Sequence, residues 1–377
     1  MKVMKFGGSC LKNREYLLRA VEIIKSQKES VVIVVSAFNG ITNKLLDGIN
    51  LSICDEKNIP DFIAILKSRH RFFFDPIIQE KSIHSRIKAM VDALIQKIEK
   101  LLYGISYTQE VTESVKSLVL SYGERMSAVI LAGILQSAGK DAVALFAEKI
   151  GMVTDDVFEN ATALLTETRD NFKNSLLPII KKGCIPVITG YFGITRSGKI
   201  SIFGRNGSDY SAAVISYAVE AKYLELWKDV DGFMSADPLI IRHARPIDCL
   251  SYNEAAELSY FGARIMHPRT TEPLLKMGIK VYIRNIQHPG KIGTVIFPDG
   301  YEKDDIIKSV TCNKQIAILR VFGTGVGRTI EVYRSSLQRL ALCENIAPSV
   351  GDFGSHLLEG FDMEVDRPGT QNAPTGQ

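Results

Sequence analysis

Val31-Val32-Ile33-Val34-Val35 is an unbroken β-branched run, so both faces of the strand it forms are apolar and both need a covering layer. A parallel sheet with helices on each side meets that demand. The chain prepares for it: residues 3–6 are short and apolar, stop at Gly7-Gly8-Ser9, and give way to Tyr16, Leu17, Ala20, Val21 and Ile24 at helical spacing. Further strand-like runs at 142–146, 185–189, 200–203 and 223–226, with helical stretches such as 161–172 and 209–220 among them, extend the same alternation. The pattern predicts an α/β fold with an open, mostly parallel sheet and helices on both faces, spanning residues 1–298.

Within that span the period changes. Ile83, Ile87, Val91, Leu94, Ile98 and Leu101 recur at steps of three and four, which predicts a helical insertion at about 58–138, its last helix covering 115–138. Residues 299–307 are polar and read as a linker. Residues 308–350 hold a strand at 316–322, a Gly-rich turn and a helix at about 328–342, enough for a small α+β segment. Residues 351–377 carry scattered Gly and Pro without periodicity and are expected to be a disordered tail.

With 46 Lys+Arg against 42 Asp+Glu, the net charge of +4 leaves no basic footprint for nucleic acid, so small metabolites are the expected partners. No apolar stretch is expected to reach the roughly 18 residues of a membrane span, and Met1-Lys2-Val3-Met4-Lys5 runs into glycine instead of a signal core. A cytoplasmic protein with no membrane association is the expectation. The six cysteines are scattered with no C-x-x-C pair, so reduced thiols and no protein-held metal are expected.

Four segments could carry chemistry. Lys5-Phe6-Gly7-Gly8-Ser9 puts a cation and two residues without side chains at a strand end, where amides can approach an anion. Gly204-Arg205-Asn206-Gly207-Ser208-Asp209 does the same at another, with Ser208 or Asp209 placed to cap the following helix. Two such turns favour phosphoryl transfer, which depends mainly on positioning and charge neutralisation. Ser36 to Asn43 leaves the second strand with hydroxyl and amide groups, and Ser121-Tyr122-Gly123-Glu124 places a carboxylate beside a glycine in a helix. For His267 and Trp227, local hydrogen bonding and packing are the better readings.

Together and in this order, the four segments resemble the aspartate kinases of the amino-acid kinase family. The resemblance continues through Trp227-Lys228-Asp229-Val230-Asp231-Gly232, Ala236-Asp237-Pro238, Glu254 to Leu258 and Phe261 to Pro268, and covers about residues 1–300. It implies the amino-acid kinase fold and ATP-dependent phosphorylation of the L-aspartate side chain, with ATP and Mg2+ as the nucleotide complex. It further implies that Lys5 and Asp209 are catalytic and that Ser36, Thr42, Glu124, Arg205 and Ser208 bind the amino acid. Lys5, Gly7, Gly8, Ser9, Lys228, Asp229, Met234, Leu239 and Arg264 would surround the nucleotide. The chain departs from the usual residues at Lys228, Met234, Leu239 and Arg264, losing a cation at one position and gaining one at another.

The same resemblance makes the C-terminal segment an incomplete ACT-like regulatory unit, with an amino-acid effector and a homo-oligomer as expected partners. Gly323-Thr324-Gly325-Val326-Gly327 lacks the full dinucleotide fingerprint, so no dehydrogenase is expected there. Two alternatives stay open: a kinase of another acidic amino-acid derivative, and a catalytically weak regulatory subunit.

Overall fold

The computed structural model describes residues 1–263, 265–298, 307–311, 318–322 and 362–366. β1 (Lys2–Phe6) is buried along its whole length and runs into a one-turn 3-10 helix at Gly8–Leu11. α1 (Arg14–Lys25) follows, its N-cap Asn13 accepting from the Tyr16 amide. β2 (Val31–Val35) is likewise buried throughout. Four helices then form the insertion: α2 (Ile41–Cys54), α3 (Ile59–Phe74), α4 (Lys81–Thr108) and α5 (Glu113–Ser137).

The α/β alternation resumes with β3 (Ala142–Leu145), α6 (Ala147–Ile150), β4 (Val153–Thr154), α7 (Leu165–Ser175), α8 (Leu177–Lys181) and β5 (Ile185–Thr189). A hairpin of β6 (Phe192–Thr195) and β7 (Ile200–Ile202) leads to α9 (Gly207–Ala218) and β8 (Tyr223–Lys228). β9 (Cys249–Ser251), α10 (Tyr252–Tyr260), α11 (Thr271–Leu275), β10 (Lys280–Asn285) and β11 (Val295–Phe297) complete the unit.

Eight strands form one sheet in the order β3-β5-β2-β1-β8-β10-β11-β9, parallel at every pairing except β10 with β11. β1 is central, with Lys5 in register with Val34 of β2 on one side and Leu226 of β8 on the other. The loops leaving β1, β2 and β8 therefore diverge at the carboxyl edge of the sheet. That divergence opens a crevice at the point where strand order reverses.

The sequence expectations need adjusting in several places. α5 is long and apolar enough to cross a membrane by length and composition, contrary to the expectation of no such stretch. However, 94% of its apolar window is buried inside the protein, as in a central core helix. α7 starts at Leu165 and not at 161, because Ala161 donates to the Ile202 carbonyl and Ala163 bridges to Thr154, which holds this stretch extended. Residues 309–311 bind the first unit through Ser309 to the Met234 carbonyl, Val310 to Ser235 and Thr311 to Phe261. Contacts accordingly divide the chain after Cys312, beyond the expected edge at 298.

In the second unit, β12 (Ile318–Phe322) pairs antiparallel with β13 (Asp362–Asp366), placing Leu319 opposite Val365. β13 lies within the segment expected to be disordered. Its alternation of Asp362, Met363, Glu364, Val365 and Asp366 is the period of a strand, though the Gly and Pro around it mask the signal. The expected helix at 328–342 and the Gly-rich turn lie outside the described residues.

Candidate active site

The crevice is a cleft of about 740 Å³. Its walls combine Lys5, Gly7, Gly8 and Ser9 after β1, Ser36 and Thr42 after β2, and Glu124 of α5. Arg205 and Ser208 before and within α9, and Lys228 and Asp229 at the end of β8, close it. Residues distant in the chain thus meet at one place because three central strands end there.

Asp209, a predicted catalytic residue, does not line the cleft itself but lies behind Lys5 and Lys228, which do. It is fully buried, with Lys5 Nζ 2.5 Å from Oδ1 and Lys228 Nζ 2.9 Å from Oδ2. Burial alone would raise its pKa, but the two ammonium groups overcome this and hold it at about 2. Lys5 is also shifted below its ordinary value, because desolvation and repulsion from Lys228 outweigh attraction to Asp209. Cys10, beneath Lys5, is pushed up to about 12 by burial and is an unreactive thiol. A buried carboxylate shared by two cations has little freedom to move, so the charge geometry is set before any ligand arrives.

The expected N-cap role of Ser208 or Asp209 is not what the structure shows. α9 is capped by Asn206 in the left-handed region (φ 60°), which places Ser208 and Asp209 inside the first turn. Asparagine tolerates this conformation better than other non-glycine residues. The cap leaves Ser208 facing the cleft near the N-terminus of α9, where helix amides favour an anion. Gly190 makes this approach possible, since a Cβ there would lie 2.8 Å from that of Ser208.

Glu124 and Arg205 line the same cleft. Glu124 is almost fully buried, its Oε1 accepting from the Ala37 amide at 3.0 Å while its Oε2 has no hydrogen-bond partner among the described residues. Desolvation raises its pKa to about 8. Gly123 brings α5 this close to the loop after β2, because a Cβ there would lie 2.8 Å from the Ala37 Cβ. Arg205 is exposed in the cleft and makes no ion pair among the described residues. The cleft therefore presents an unpaired guanidinium and a buried carboxyl that an incoming cation would ionise.

The structure leaves some expected residues away from the cleft. Met234 bridges to Pro246, and Leu239 is 93% exposed; neither lines the cleft, and Arg264 lies outside the described residues. The polypeptide turns away after Val230, leaving Met234 half-buried and Leu239 at the surface. Tyr191 was not foreseen: it lines the cleft at φ 77°, its amide donating to Ser211 Oγ at 2.8 Å. The signal was Gly190-Tyr191 at a strand end. Lys116 and Glu159 also line the cleft, paired at 2.7 Å, and their sequence context gives no sign of it. His267 and Trp227 behave as expected, His267 Nδ1 accepting from the Arg269 amide and Trp227 packing parallel to Phe6.

Comparison with known proteins agrees with this geometry. The amino acid kinase family profile matches residues 1–285. The bifunctional aspartokinase/homoserine dehydrogenase of Buchnera aphidicola is 32% identical over 86% of this chain and 40% of its own length. Aspartokinase 1, chloroplastic, of Arabidopsis thaliana is 31% identical over 85% of this chain and 56% of its own. The chain thus spans about half the length of these curated relatives. Among solved structures, E. coli aspartokinase III in complex with aspartate and ADP superposes with a TM-score of 0.76, at 23% identity, over 92% of this chain and 75% of that one. At that identity the likeness is one of fold.

Proposed function

The chain belongs to the amino acid kinase family, and on that premise we propose that its cleft transfers the γ-phosphoryl group of ATP to the side-chain carboxylate of L-aspartate. The observation that carries this reading is that Arg205 and Glu124 both line the cleft that holds the glycine turn and Lys5, the lysine bound to Asp209. A free amino acid brings one carboxylate and one ammonium to be recognised. Arg205 suits the α-carboxylate and Glu124 the ammonium, with Ser36, Thr42 and Ser208 supplying hydrogen bonds. An N-acylated substrate would leave Glu124 with no cation, which argues for a free amino acid.

The transfer requires no covalent enzyme intermediate. A side-chain carboxylate oxygen forms the new bond to the γ-phosphorus, the bond from that phosphorus to the β,γ-bridging oxygen breaks, and ADP departs with the electron pair. No proton has to move, because the nucleophile is already ionised. Lys5 would offset the charge on the transferred group, the amides of Gly7 and Gly8 would hold phosphate oxygens, and Asp209 would fix the lysines in place.

ATP supplied as its Mg2+ complex is part of the same reading. The described residues hold no group of three or more His, Cys, Asp or Glu side chains able to cage an ion, and both oxygens of Asp209 face ammonium groups. These residues do not fit an ion held by the protein. A magnesium ion would instead enter on the nucleotide phosphates. The product, 4-phospho-L-aspartate, is the acyl phosphate that opens lysine, threonine and methionine synthesis. An amino-acid effector, a homo-oligomer and a cytoplasmic setting belong to the proposal and are supported by composition and resemblance.

A coupled assay of ADP formation tests it. Turnover that requires L-aspartate, is not supported by N-acetyl-L-glutamate, and is abolished by Asp209→Ala is expected. Turnover with the acylated substrate alone would overturn the reading.

A further inference from the structure

We propose that Lys228 is a second phosphate-directed cation, which together with Lys5 lets this cleft hold the terminal phosphates of the nucleotide without a divalent ion. The inference rests on the nucleotide reading of the cleft and goes beyond it by assigning charge neutralisation to a protein side chain.

Four observations support it. One carboxylate, Asp209, faces two ammonium groups, so this buried cluster carries one positive charge more than it neutralises. Asp229, the next carboxylate along the chain, is exposed at the cleft mouth. Lys228 lines the cleft and is 13% exposed, against 4% for Lys5, so it is the more accessible of the two cations. An ammonium has three donors, and one of those on Lys228 goes to Asp209 at 2.9 Å, leaving others for phosphate oxygens.

The end of β8 also holds Lys228 in place. Neighbouring Trp227 donates to Glu225 Oε2 at 3.0 Å, and Glu225 Oε1 is in turn held by Lys2 at 3.0 Å and Arg284 at 3.1 Å. The Trp227 carbonyl accepts from the Gly7 amide at 3.3 Å, joining β8 to the glycine turn. Burial, and to a lesser degree Lys228, lower the Lys5 pKa, and a phosphoryl group beside the two cations would oppose that shift.

Titration calorimetry with ATP, once with Mg2+ and once with a chelator, reads this out in the absence of turnover. The native protein is expected to bind metal-free ATP within about tenfold of MgATP. In Lys228→Met the affinity for metal-free ATP is expected to fall at least tenfold more than that for MgATP, and Lys228→Arg is expected to restore it. Native binding of metal-free ATP more than a hundredfold weaker than MgATP would overturn the proposal, whether or not Lys228→Met folds. An equal loss for both nucleotide forms in Lys228→Met would also overturn it. If neither form binds, the nucleotide reading itself falls. Binding without aspartate-dependent turnover would refute the acceptor assignment and leave Lys228 in its role.

Discussion

The carboxyl group of Glu124 makes aspartate affinity depend on pH in a calculable way. With its pKa at about 8, raised by desolvation, Glu124 is protonated in most of the free protein at neutral pH. An ammonium seated against it requires the ionised form, so binding must expel a proton. Well below pH 8 each pH unit then weakens binding by about 1.4 kcal/mol, or tenfold, and because half of the carboxyls are already protonated at pH 8 the loss between pH 8 and pH 6 is roughly fiftyfold. At pH 7 about 0.9 proton should leave per aspartate bound. The KM for aspartate, measured from pH 6 to 9 at saturating ATP, should fall tenfold per unit and level off above pH 8.

Calorimetry in buffers of different ionisation enthalpy counts the proton directly. Glu124→Gln keeps an acceptor for the Ala37 amide, and its KM should be high and flat. The stability effect has the opposite sense. A carboxyl with a raised folded pKa stabilises the fold below its unfolded value and loses that contribution as pH rises from about 4.5 through about 8. A native KM that changes less than twofold between pH 6 and 8, with no proton released, would refute this role for Glu124.

Other perturbations follow from the same geometry. Asp209→Asn leaves Lys5 and Lys228 without their counter-charge, and should destabilise the protein by about 3 kcal/mol or more in denaturant titration. Because Asp209 is held down at about 2, its contribution to native stability is present above the unfolded value near 3.8 and fades as pH falls from there toward 2. Acid titration of native and Asp209→Asn proteins should show this difference, and parallel curves would contradict the two-lysine clamp. Arg205→Ala should raise the aspartate KM by about ten- to hundredfold while leaving that for ATP within threefold. Asn206→Gly should be neutral or slightly stabilising, whereas Asn206→Val should cost about 1 to 2 kcal/mol because φ is 60° there.

Much of the fold was legible because the sheet is buried on both faces. β2 and β5 occur at the expected residues, since short, mainly apolar runs bounded by turn residues leave little choice of register. The α7 start was not legible, because 161–163 is held extended by backbone bonds to residues far along the chain. Lys5, Arg205 and Ser208 were visible as residue types near glycines at element ends, and Glu124 as a carboxylate beside a glycine inside a helix. What no local pattern showed was that Asp209 is shared by two lysines, because Lys5 and Lys228 meet only through the β1 to β8 pairing. Lys116 and Glu159 escaped for a similar reason, as their cleft positions come from tertiary packing alone.

The central claim is that the bond to phosphorus forms at the aspartate side chain, and isotope labelling tests it most directly. L-Aspartate carrying oxygen-18 in its side-chain carboxylate, incubated with ATP, Mg2+ and the protein, should give an acyl phosphate whose phosphorus-31 resonance shows the isotope shift of a labelled bridging oxygen. Label in the α-carboxylate should give none. A shift from the α-label, or ATP consumption with no labelled acyl phosphate, would contradict the assignment.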